Sequence, residues 1–167
     1  MVEILKYTDR TGRSPFERWF VRLRDEAAQA AILIRLRRLA LGLAGDTKGT
    51  AAPDCAPRKG KALMPTRKFE TTDYLRTDRQ IAAYLDAALT DGDPRVLLQA
   101  VRDVAAVRGG MAALARRAGI PRESLYRMLS SRGNPSYVAV RSILDAVGFR
   151  LSVEPGTKRP GRSTRAA

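Results

Sequence analysis

The residues whose types and spacing carry chemistry lie between 111 and 130, in MAALARRAGIPRESLYRMLS. Read as two short helices around a tight turn, this stretch puts Arg122, Glu123, Tyr126 and Arg127 on the outward side of the second helix, with Ser124 beside them. Their chemistry is hydrogen bonding rather than bond making. An arginine paired bidentately with guanine discriminates by roughly 1 to 3 kcal/mol, and a glutamate can accept from cytosine N4. Arg116, Arg132, Asn134 and Ser136 flank the two helices and suit phosphate oxygens.

The elements that must hold these side chains are legible in the same stretch. Ala115 is small where two helices cross closely, and Gly119, four residues on, can take the positive φ of a tight turn. Leu114, Ala118, Ile120, Leu125 and Met128 are apolar where a helix-turn-helix faces its core. Two helices of an ordinary bundle would share the Leu and Ile spacing without requiring Ala and Gly at that separation. One such module reads half a site, so the pattern predicts a homodimer spanning two half-sites about 34 Å apart on operator DNA.

Composition narrows the alternatives. Among 167 residues there is no His and one Cys. That excludes a Cys/His zinc site, a Ser-His-Asp or Cys-His nucleophile system, a His general base and an internal disulfide. We expect no metal and no cofactor, and the reading of residues 111–130 as a binding module carries no catalytic residue. Cys55 sits in an Ala-, Pro- and Lys-rich stretch and reads as an incidental exposed thiol. No run approaches the roughly 18 apolar residues of a membrane span, and the N-terminus does not read as a signal peptide, so a cytoplasmic protein without membrane contact is expected.

The chain carries 31 Lys plus Arg against 17 Asp plus Glu, a net charge of +14. An anionic partner such as nucleic acid would explain it, but so would GC-rich coding, since 25 of the 31 are Arg and Ala is abundant. The charge is unevenly placed. Residues 1–48, 49–68 and 155–167 carry +4 each, and residues 69–154 only +2. Residues 49–68, with three Pro and no apolar periodicity, read as a disordered linker, and 155–167 as a disordered basic tail. Eight of the charges therefore add salt-sensitive attraction to phosphate without specificity.

Residues 1–48 read as β-α-α. Val2, Ile4 and Tyr7 lie in an extended run. Ser14 and Pro15 open a helix with Phe16, Trp19, Phe20 and Leu23 on one face, and a second helix carries a stripe of Ile32, Leu36, Leu39 and Leu43 beside Arg35, Arg37 and Arg38. A lone strand and two helices cannot bury that aromatic face without further strands or a partner. Residues 69–154 read as a complete domain of five helices, near 77–90, 94–108, 111–118, 121–130 and 136–147. The first carries Ile81, Tyr84, Leu85 and Leu89, and the second Val96, Leu97, Val101 and Val104. Phe149, Leu151 and Val153 then alternate as a short terminal strand.

Residues 64–154 resemble the HigA-like addiction-module antidotes, the helix-turn-helix antitoxins of type II toxin-antitoxin pairs. The likeness runs through YLRTDRQIAAYLDAAL, DPRVLLQAVRDVAAVRGGMAALARRAGIPRESLYRMLSSRGNPSY and SILDAVGFRLSVEP. Pro121 departs from it, standing where relatives generally have Ser. Residues 1–48 look like the start of a HigB-like toxin of the RelE/ParE superfamily, through FERWFVRLRD, AAILIRLRRLALG and GLAGDTK. The strands that would follow, with the Arg and Tyr residues credited with mRNA cleavage, are absent, and Met64-Pro65-Thr66 looks like an antidote's own start. The resemblance implies a mainly α, lambda-repressor-like five-helix domain with a short C-terminal strand, preceded by a truncated toxin fragment and a linker. It implies a repressor of its own operon that neutralises a HigB/RelE-like ribonuclease. Two rivals stand beside it: a fusion retaining ribonuclease activity, since Arg, Lys and Tyr can cleave RNA without His, and a non-catalytic protein in which residues 1–48 cover the antidote's toxin-binding face.

Overall fold

In the computed structural model the described residues are 3–43 and 65–153. Most of the expected linker, with Cys55, Met64 and the basic tail, lies outside them. The chain is mainly helical, with seven α-helices and one two-stranded sheet among the described residues.

Strand β1 (Leu5–Tyr7) leads into α1 (Pro15–Arg22) and α2 (Glu26–Ala40). Pro15 sits in the first turn of α1, where a missing N–H costs nothing, but the Ser14 hydroxyl makes no capping bond and is buried. Asp25 caps α2 by accepting from the amides of Ala27 and Ala28 at 2.9 and 3.1 Å. The Gln29 side chain turns back and donates to the carbonyls of Phe20 and Leu23 at 3.1 and 2.6 Å, closing the end of α1.

Strand β2 (Thr66–Lys68) runs antiparallel to β1 in the register Leu5 with Lys68, Lys6 with Arg67 and Tyr7 with Thr66. The expected linker therefore ends earlier than residue 68. All three residues of β2 are exposed and none is apolar, so only pairing with β1 makes them a strand. After a 3-10 turn over Thr71–Tyr74 come α3 (Asp78–Asp91), α4 (Pro94–Val107), α5 (Gly110–Ala118), α6 (Arg122–Met128) and α7 (Tyr137–Val147). Thr77 and Gln80 form a reciprocal capping box at the start of α3, and Asp93 caps α4 through the Arg95 amide at 2.9 Å.

One buried cluster runs through the whole described chain, from Phe20, Leu33 and Ile34 through Tyr74, Ile81, Tyr84 and Val104 to Leu125 and Ile143. The aromatic face of α1 is thus covered from within. Phe20 lies 4.9 Å from Tyr74 and Phe16 lies 5.8 Å from Phe69, both edge-on. Trp19 stays half exposed.

Three expectations are corrected. The buried stripe of α2 is Gln29, Ala30, Leu33 and Ile34, turned toward α3, while Leu39 is exposed and Ile32 and Leu36 are only half buried. Its one polar member, Gln29, is buried because its side chain has partners, which an apolar pattern does not register. On α3 and α4 the buried residues are Ala88 and Leu98 where Leu89 and Leu97 were expected. No strand forms over 149–153: Val153 is almost wholly exposed, and Phe149 instead closes the end of α7 by donating its amide to the Leu144 carbonyl at 2.9 Å.

Candidate nucleic-acid interface

The turn between α5 and α6 is built from Gly119. Its φ of 65° lets its amide reach the Arg116 carbonyl at 3.4 Å and the Ile120 amide reach the Ala115 carbonyl at 3.1 Å, two bonds that close the end of α5. Leu114 and Ala115 are buried against the core, and Ala118 and Ile120 are half buried. Beyond the turn Leu125 and Leu129 are buried and Met128 half buried. Pro121 is the N-cap of α6 and offers no side-chain cap, so the helix begins at Arg122. Gly133, in the loop after α6, is fixed for another reason: a Cβ there would lie 1.8 Å from the Met128 carbonyl oxygen.

With Leu125 and Leu129 inward, the opposite face of α6 presents Arg122, Glu123, Tyr126 and Arg127, all exposed. Ser124 is half buried. The Arg122 guanidinium lies over the Tyr126 ring, its carbon 5.5 Å from the centroid, a cation–π contact on the exposed face. Arg116, Arg132, Asn134 and Ser136 are exposed around this face. Ser136 also caps α7, accepting from the Ala139 amide at 3.3 Å. Arg116, Arg122, Arg127 and Arg132 enter none of the ion pairs among the described residues. Residues 111–150 hold seven arginines and two acids, whereas 69–110 hold five basic and seven acidic residues. The modest total charge of this half thus conceals a basic end built on α5 to α7.

A second polar group was not singled out from sequence. Asp103 on α4 is buried and accepts from Arg37 of α2 at 2.6 Å, Tyr84 of α3 at 2.9 Å and Gln99 at 3.0 Å. Burial pushes its carboxyl above the ordinary value, and Arg37, Gln99 and Tyr84 offset this only in part. Burial likewise drives the Tyr84 hydroxyl upward. Arg38 reaches Asp91 at the end of α3 at 2.6 Å. Lys6 is buried beneath β1, bonded to Glu17 and 3.4 Å from the Tyr74 hydroxyl. Burial works against its charge, and those bonds more than compensate, so its pKa is raised. Among the described residues no group of three or more acids or thiols could hold a metal ion, and no helix is long and apolar enough to cross a membrane.

Fold and charge together define a small helical protein with an exposed basic end on α5 to α7. The family model described as "probable addiction module antidote protein" matches residues 65–155, and the chain belongs to that family. An uncharacterized protein of Haemophilus influenzae is 33% identical over 88 residues, covering 53% of this chain and 90% of its own length. No solved structure matches. An antidote implies a toxin as its counterpart. Residues 1–64 lie outside the family match.

Proposed function

We propose that this chain is a HigA-like antitoxin that binds operator DNA as a homodimer, represses its own operon and neutralises a HigB/RelE-like ribonuclease. It acts in the cytoplasm by stoichiometric binding rather than catalysis. The observation that carries the reading is the exposed face of α6, with Arg122, Glu123, Tyr126 and Arg127 standing over buried Leu125 and Leu129 next to the Gly119 turn. As the recognition helix of a helix-turn-helix, α6 lies in the major groove, and Arg116, Arg132, Asn134 and Ser136 set its register on the phosphates. Residues 1–48 are the truncated start of a RelE/ParE-like toxin, joined to the antidote without the strands that would complete a nuclease.

Gel-shift titration against the DNA upstream of the gene tests this. The expected result is a sequence-specific shift that Arg122→Ala with Arg127→Ala abolishes. A wild-type protein that does not distinguish this DNA from a scrambled duplex would remove the reading.

A further inference from the structure

The antidote segment carries a face that cannot be left bare. Its parts are the edge of β2, the rings of Phe69 and Tyr74, and the carboxylates of Asp91 and Asp103 with the Tyr84 hydroxyl. Uncovered, it would present unpaired strand amides and carbonyls, an aromatic patch and two carboxylates without their arginines. In this chain residues 3–43 cover it. They add β1 to the strand edge, lay α2 across α3, and set Arg37 on Asp103 and Arg38 on Asp91. The charges complement each other: residues 3–43 hold nine basic and five acidic groups, against five and seven in residues 69–110.

That cover lies outside the antidote match. The family match begins at residue 65, and a relative nine-tenths accounted for by 88 matched residues has no room for both the antidote segment and an equivalent of 3–43. An antidote of that length must have this face filled by another chain. From this we infer that the face formed by β2, α3 and α4 is where the antidote takes its toxin, that the toxin's recognition element is a basic β-α-α unit bringing arginines to Asp91 and Asp103, and that here residues 3–43 fill the face in cis, so that a toxin in trans must displace them before it is neutralised. The inference rests on the antidote reading and deepens it. Strand addition plus an amphipathic helix in a groove is a recognised mode of docking between chains, and tethering makes the resident copy hard to displace.

The test uses the full chain with a site-specific protease sequence inserted after Ala56, and a fluorescently labelled synthetic peptide of residues 3–43 as the probe. A tethered segment competes at an effective concentration on the order of millimolar, so the uncut chain should take up the peptide about 100-fold more weakly than the cut chain, where competition is with micromolar free segment. Asp91→Ala in the cut chain should weaken capture at least several-fold. Equal uptake by cut and uncut chains, or a cut chain that keeps its helical spectrum and captures nothing, would overturn the inference. So would a dimer of the uncut chain in which two copies exchange residues 3–43. Hydrogen exchange on the unmodified chain serves as a check independent of cutting: the amides of Thr8 and Phe69, bonded to Pro65 and Ile4 across the strand pair, must be protected, and exchange at the free rate refutes seating in cis. No toxin or DNA enters these measurements. A chain that captures the peptide yet neutralises no toxin after cutting would therefore fail the antidote reading separately.

Discussion

The guanidinium of Arg37 stands 2.6 Å from the carboxylate of Asp103, joining a helix outside the antidote match to a helix inside it. Both groups are largely out of water, with side chains 15% and 7% exposed. Such a pair stabilises less by its attraction than it costs to break, because removing one partner strands the other.

Arg37→Ala should therefore cost about 3 kcal/mol in urea unfolding, since it leaves the Asp103 charge buried with only Tyr84 and Gln99. Arg37→Met with Asp103→Leu should come out near wild type. A double variant as damaged as the single would show instead that the pair is a net source of stability.

The raised pKa of Asp103 gives this pair a pH signature. An acid whose folded pKa lies above its unfolded value binds its proton more tightly when folded. It stabilises below the ordinary value of 3.8, and that contribution is lost as pH rises from there through the folded pKa. Measured against Asp103→Asn, the wild type should lose relative stability as pH climbs out of the acid range and stay level above it. A relative gain over the same window would contradict the cause assigned.

Asp93 behaves in the opposite sense. The Arg95 side chain and backbone amide hold its carboxyl below the ordinary value, so its contribution as the cap of α4 is present at neutral pH and lost as pH falls through the depressed pKa. Asp93→Ala should cost about 1 kcal/mol at pH 7, and the difference from wild type should shrink in acid. A cost that does not change with pH would mean that the carboxylate is not the group acting there.

Two glycines flanking α6 should fail unequally. Around Gly119 a Cβ meets nothing within 4 Å, so Gly119→Ala pays only for its left-handed backbone, about 1 kcal/mol. At Gly133 the added carbon would collide with the Met128 carbonyl, and the loop must move, costing on the order of 3 kcal/mol. Thermal unfolding of the two variants in the reverse order would refute this account of the turn and loop.

Much of the second half of the fold could be read from sequence because its signals are local. The helices α3 to α7 fall close to where apolar spacing puts them, Gly119 closes α5 at the expected turn, and Leu114, Ala115 and Leu125 are buried as their spacing requires. The exposed set on α6 follows from the same periodicity. What sequence did not reveal depends on distant partners. Thr66, Arg67 and Lys68 form a strand only because β1 lies beside them, Gln29 is buried because it reaches the carbonyls of Phe20 and Leu23 across the bend between α1 and α2, and Asp103 is buried because Arg37 and Tyr84 meet it from other helices. Leu151 and Val153 alternate like a strand but have no strand beside them among the described residues, and alternation alone does not make a sheet.

Whether α6 reads operator DNA is decided by titrating wild type, Arg132→Ala and Arg122→Ala with Arg127→Ala against the upstream operator and a scrambled duplex across a range of salt. The wild type should prefer the operator by about a thousandfold or more. Arg132→Ala should weaken both duplexes alike and lower the salt slope by about one. The double variant should lose the preference while keeping weak, salt-sensitive binding. A preference that survives loss of both Arg122 and Arg127 would contradict the claim.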